Sequence, residues 1–290
     1  MREDGMIQYT CEKCSDQYTQ TIPATQQIRI LFIANSFGED SAAYLWHVLS
    51  AAGFRNVVVA VAYYGGCTIN KHWEFIQNNS AEYEYKKITL GFFNNRGGMT
   101  LEKIVEDEPW DIISIQQSGS NHYSTSTFSH MDDLIGWVEQ HKTNPKAKYV
   151  YNMPWTYPSY CTDWTYLHQM GGNSDQMYAS ITDAVQQVVV GHPAFDRIIP
   201  SGTVVQNLRN SFLTESALYR DELHLSLTIG RYAVALGWYC ALLDGNPEDI
   251  SWAPSTIRGD DATIAVICEA IHNALERPFE MTPCVTPKEQ

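Results

Sequence analysis

The chain has 290 residues, 44% hydrophobic and 12% aromatic, enough for one large globular domain with a sizeable core. Its formal net charge is -14 and no basic run occurs, which argues against nucleic acid as a partner. No stretch approaches the roughly 20 apolar residues of a membrane span, and Met1-Arg2-Glu3-Asp4-Gly5 offers no apolar signal region.

Residues 1–26 are polar and rich in Thr and Gln, and they read as an extended tail ahead of a domain over 27–290. Cys11 and Cys14 in that tail form a lone Cys-x-x-Cys; a zinc site needs two further ligands with matched spacing, and none is near. The seven cysteines are too few for a disulfide scaffold of this size, and Cys67, Cys161, Cys240 and Cys268 sit in or beside apolar segments as small buried hydrophobes do.

From residue 28 onward, short apolar β-branched runs alternate with amphipathic stretches. The pattern predicts strands over 28–34, 57–62, 110–116, 148–152 and 197–199, and helices over 41–52, 100–107, 131–140, 175–190 and 227–243. Strands apolar on both faces, alternating with helices, imply an α/β fold: a three-layer α/β/α sandwich with a mostly parallel central sheet. The aromatic segment 155–175 reads as a long surface loop beside the site.

In such sheets, ligands bind beyond the carboxyl ends of the strands. Ala34-Asn35-Ser36-Phe37 follows the first strand, Tyr63-Tyr64-Gly65-Gly66-Cys67 the second, and Gln116-Gln117-Ser118-Gly119-Ser120-Asn121 the third. Far downstream, Asp221-Glu222-Leu223-His224 sets a carboxylate three residues before a histidine. A serine hydroxyl attacks poorly until a base takes its proton, and the base needs a third group to orient it. Ser36, His224 and Asp221 are the residue types for nucleophile, base and orienting acid. Backbone N–H groups near the glycine pair and a side-chain amide from Gln117 or Asn121 would form an oxyanion hole. Gly65, His72, His122, Trp155 and Tyr157 are candidates for lining the substrate site, Trp155 and Tyr157 within an aromatic group over 155–160 suited to sugar faces or acyl chains, whereas aromatics such as Trp46, Trp73 and Trp164 read mostly as core. His47 reads as structural, and Ser201 as the cap of the helix starting near 203. Gly-x-Ser-x-Gly, Gly-x-Gly-x-x-Gly and the phosphate-binding loop are absent, and no ligand cluster suggests a metal, so no cofactor is expected.

Over roughly 28–245, these blocks resemble the SGNH (GDSL-like) hydrolases, in particular a subfamily with Gly-Asn-Ser in place of Gly-Asp-Ser. The resemblance implies Ser36 as nucleophile and first oxyanion donor, Gly66 as the second-block glycine, and Asp221 and His224 as acid and base. Two departures stand out. Ala34 replaces the first-block glycine, and the third-block Gly-x-Asn-Asp is missing, which leaves the amide donor open, with Gln117 the first candidate and Asn121 the second. The implied activity is a serine esterase acting on small acyl esters, O-acetyl on a carbohydrate above all. The alternatives are an inactive carbohydrate-binding or cell-surface module on the same fold, or an acyltransferase. The segment from Tyr9 to Thr25 resembles the end of a Cys-x-x-Cys repeat of bacterial surface proteins, which implies an extracellular or cell-surface setting.

Overall fold

The computed structural model describes residues 5–11, 13–22, 26–162 and 170–287. In the tail, β1 (Gly5–Thr10) and β2 (Gln17–Ile22) pair antiparallel, so the segment expected to be extended forms a hairpin. Its turn carries the exposed Cys11 and Cys14, and Tyr9 and Tyr18, directly opposite in the ladder, stack at 4.6 Å.

Seven further strands form one sheet: β3 (Gln27–Ala34), β4 (Asn56–Tyr63), β5 (Tyr83–Ile88), β6 (Phe93–Met99), β7 (Ile112–Ile115), β8 (Lys148–Asn152) and β9 (Phe195–Ile199). Their order is β6-β5-β4-β3-β7-β8-β9. The five strands expected from sequence are the parallel ones. β3, β4, β7 and β8 are buried on both faces along most of their length, and Ile30 to Ile33 of β3 expose no surface, whereas β9, at an edge of the sheet, leaves Asp196 exposed. β5 and β6 extend the sheet antiparallel and were not expected. They lack the two-sided apolar signal: β5, between β4 and the edge strand β6, buries Tyr83, Tyr85 and Ile88 but leaves Glu84 and Lys87 half-buried, and β6 is almost wholly exposed.

Among the described residues, ten α-helices follow in chain order: α1 (Ser36–Ala42), α2 (Leu45–Ala51), α3 (Ile69–Gln77), α4 (Leu101–Val105), α5 (Met131–His141), α6 (Ser174–Val188), α7 (Ser201–Arg209), α8 (Glu215–Leu218), α9 (Ile229–Leu243) and α10 (Asp261–Glu276). α1, α2, α7, α9 and α10 pack among themselves, as α3, α4 and α5 do. Adjacent residues of β8 show the two layers. Asn152 accepts from the Trp238 indole of α9, while the Tyr151 hydroxyl meets His122 on the other face. α9 is buried on nearly every side because α7 and α10 cover it as well. The single helix expected over 41–52 is broken at residues 43–44, and its first part starts earlier, at Ser36.

β3, the first strand of the sheet, lies between β4 and β7, so the chain leaves it toward one side and later returns on the other. This is the strand order of flavodoxin-like sheets, in which the crevice at the reversal is the ligand site. Ser36 sits at its mouth, since Ala34 pairs with Tyr63 and Ile33 with Ile115.

Candidate active site

The site is built on a buried polar lattice beneath Ser36. Asn35 is extended and caps α1: its Oδ1 accepts from Phe37 N–H at 3.0 Å and from the Gln116 amide at 3.0 Å. Its Nδ2 donates to the Cys67 carbonyl at 2.9 Å, which ties the Gly65–Gly66 turn to the start of α1. Gln116 in turn accepts from Asn152, and Asn152 accepts from Ser201 Oγ at 2.7 Å. Ser201 therefore joins the lattice rather than capping α7, whose N-cap is Pro200. One set of hydrogen bonds thus spans the carboxyl ends of β3, β7 and β8 and limits how far Ser36 can move.

Ala34 is matched by Gly38. A Cβ at residue 38 would stand 2.3 Å from the Ala34 methyl, so α1 can lie this close to β3 only because residue 38 has no side chain. Gly66 has φ +64, a conformation that disfavours other residues. Neither the Ser36 N–H nor the Gly66 N–H is hydrogen-bonded among the described residues.

The histidine arrives on a tight loop between α8 and α9. Arg220 N–H bonds the His224 carbonyl at 3.0 Å, and Tyr219 bridges to Leu225. Asp221 Oδ1 accepts from the backbone N–H groups of Leu223 (2.8 Å) and His224 (2.7 Å). His224 Nδ1 lies 2.8 and 3.0 Å from the two carboxylate oxygens, which only accept, so Nδ1–H is the donor and Nε2 is the acceptor nitrogen of the neutral imidazole. Partial burial pushes the Asp221 carboxyl up, but the two backbone N–H groups and the His224 imidazole outweigh it and hold Asp221 below the usual carboxylate range.

Ser36, Gly65, Gly66, Asn121, Tyr157 and His224 line one cleft of about 450 Å³. Ser118 and Ser120 add hydroxyls, and Tyr63, whose ring lies under the Lys86 ammonium at 3.8 Å, forms another wall. The Ser36 hydroxyl is not bonded to the imidazole among the described residues, a looseness common before substrate is bound. Phe37 joins the two halves, stacked on Trp155 at 4.3 Å and edge-on to His224 at 6.1 Å.

Residues 29–274 match the family described as "Domain of unknown function (DUF4886)". The chain belongs to the DUF4886 family. A crystal structure of a DUF4886 family protein from Bacteroides uniformis is similar at 32% identity and TM-score 0.81, over 88% of this chain and 97% of that one. Two structures show weaker likeness. A candidate SGNH hydrolase from Slackia heliotrinireducens shares 18% identity at TM-score 0.49, over 74% of this chain and 99% of its own. A catalytic mutant of an acetylxylan esterase from Geobacillus stearothermophilus shares 12% at TM-score 0.44, over 78% and 94%. No curated protein matches the chain.

Several residues expected at this DUF4886 cleft lie elsewhere. Gln117 has no exposed surface: its Nε2 donates to the Thr127 carbonyl at 2.7 Å, and its Oε1 accepts from Ile69 and Ser118 N–H. It braces the loop from behind, whereas Asn121 reaches the cleft. His72 is buried against Tyr83, with Nδ1 2.8 Å from the phenol, and burial pushes its pKa down to about 3. His122 is buried too, its pKa pushed down to about 4 by burial against the opposing pull of the Gly119 and Ser118 carbonyls. Its Nδ1–H donates to those carbonyls, and Nε2 accepts from Tyr151 at 2.9 Å, so it shapes the loop without lining the cleft. Trp155 is fully buried, its indole donating to the Leu223 carbonyl at 3.0 Å, because 153–158 packs inward instead of forming a surface loop. Trp164 lies outside the described residues. His47 is stacked on Trp252 at 4.6 Å, in keeping with a structural role. Sequence reasoning missed Asn35, Phe37 and Tyr63 as parts of the site, although their places at strand ends could have pointed to them.

Among the described residues, no group of three or more His, Cys, Asp or Glu side chains could hold a metal ion, and no helix is long and apolar enough to cross a membrane.

Proposed function

We propose that this chain is a serine ester hydrolase acting on small acyl esters, O-acetyl groups on a carbohydrate above all. The observation that carries the reading is the Asp221–His224 pair, with Nδ1 held and Nε2 free, in one cleft with Ser36. In this reading Nε2 takes the Ser36 proton as Oγ attacks the ester carbonyl, and Asp221 stabilises the imidazolium that forms. The tetrahedral oxyanion is held by the Ser36 and Gly66 N–H groups and by the amide of Asn121, which takes the role left open between it and Gln117. Collapse breaks the bond to the alcohol, which leaves with the proton from Nε2. Water, deprotonated by the same histidine, then releases the acid. A cleft lined by serines and an asparagine suits the hydroxyls of a sugar.

The test is hydrolysis of p-nitrophenyl acetate by the native chain and by Ser36→Ala. The variant should lose about a thousand-fold or more in kcat with an unchanged melting temperature. Native-like turnover by the variant would sink the proposal. Acetate release from O-acetylated oligosaccharides tests the sugar part, and an added sugar acceptor reveals transfer in place of hydrolysis.

A further inference from the structure

Asp40 stands apart from the proposed chemistry. It lies on α1 four residues beyond Ser36 and its side chain exposes no surface. Around it gathers a set of partners about 180 residues away in sequence. Oδ1 and Oδ2 accept from Arg220 at 2.8 and 3.0 Å, Oδ1 accepts from Arg231 of α9 at 2.8 Å, and Oδ2 accepts from Leu225 N–H at 2.9 Å. The same Arg220 donates to the Leu225 carbonyl at 2.6 Å, and its Nε lies 3.8 Å from Asp221.

These contacts grip the histidine loop at both ends. Arg220 immediately precedes Asp221, and Leu225 immediately follows His224. Two carboxylates, Asp40 and Asp221, meet two guanidiniums, Arg220 and Arg231, so the cluster balances its charge around a fully desolvated carboxylate. A buried ion pair contributes little net stability compared with apolar packing of the same shape, but it fixes geometry strictly, because any shift leaves a charge unpaired. Here the geometry fixed is that between the helix that starts at Ser36 and the loop that ends at His224.

We propose that Asp40 is a positioning residue that holds the Asp221–His224 loop in register with Ser36, through Arg220 and the Leu225 N–H. This rests on the esterase reading. A side chain that aligns reacting groups acts on the rate of the chemical step rather than on binding, and a displacement of about 1 Å costs about a hundred-fold.

The experiment compares the native chain with Asp40→Asn and Arg220→Gln on p-nitrophenyl acetate, alongside the downfield proton NMR signal of His224 Nδ1–H, assigned by its loss in His224→Gln. Both variants should lower kcat by about ten- to a hundred-fold with KM within about twofold, and both should shift or broaden the Nδ1–H signal. Arg220→Gln leaves Asp40 paired with Arg231 and Leu225, so it folds and reports even where Asp40→Asn does not. Folded variants with native kcat and an unmoved signal overturn the proposal. The NMR signal needs no turnover. A native chain inactive on esters therefore refutes the esterase reading, while the signal still judges whether Asp40 positions the loop.

Discussion

The two buried histidines make a prediction independent of any substrate. His72 and His122 have pKa values pushed down to about 3 and about 4, against an ordinary 6.5, because burial penalises the imidazolium. Among the described residues His72 Nε2 is buried with no partner, so a proton there would have nothing to bond. The unfolded chain takes up these protons first as pH falls. Their contribution to stability is therefore complete above pH 6.5 and is lost progressively as pH drops toward the folded values. At pH 5 the unfolded state is favoured by about 1.5 pH units of uptake per histidine, which is about 2 kcal/mol each and about 4 kcal/mol together. A pH of 5 is at least about a unit above both folded values, so the figure depends little on where they lie. Urea unfolding at pH 7.5 and pH 5 reads it. With a slope of about 3 kcal/mol/M, the midpoint should fall by somewhat more than 1 M. His72→Gln and His122→Gln cost stability at both pH values, but each should remove about 2 kcal/mol of the pH dependence, with a smaller contribution remaining from His47, whose pKa burial also lowers. A variant with the native pH dependence would falsify the assignment of that histidine as buried and neutral.

The oxyanion amide is decided by two alanine variants. Asn121→Ala should lower kcat by about a hundred-fold with little change in melting temperature, while Gln117→Ala should cost about 2–4 kcal/mol of stability by stranding the Ile69 and Ser118 N–H groups. The reverse result, a large rate loss in folded Gln117→Ala and a mild one in Asn121→Ala, reassigns the donor. Gly38→Ala should be strongly destabilising, since its methyl would meet that of Ala34 at 2.3 Å, and a thermal melt at the native temperature would contradict the packing. Dialysis against a chelator should leave the ester rate unchanged, and loss with recovery on adding zinc would move Asp221 and His224 into a metal site.

Much of this protein is carried by local pattern. The central parallel strands β3, β4 and β7 announce themselves because both faces are buried, so their apolar runs are nearly continuous. The Asp221–His224 pair is equally local: three residues of loop suffice to bring the carboxylate to Nδ1, whatever surrounds it. The antiparallel strands β5 and β6 escape this logic because incomplete burial leaves a mixed sequence. The rest was decided only by distant packing. Gln117 and Asn121 are alike in chemistry and four residues apart, and only the course of the chain after β7 turns one into a buried brace and the other toward the cleft. Trp155 belongs to the core because Phe37 and Leu223 cover it. Asp40 carries no signal in sequence, where it falls one residue ahead of the helix expected over 41–52. It becomes a buried hub only when a loop some 180 residues downstream folds onto α1, and no local propensity encodes a contact of that separation.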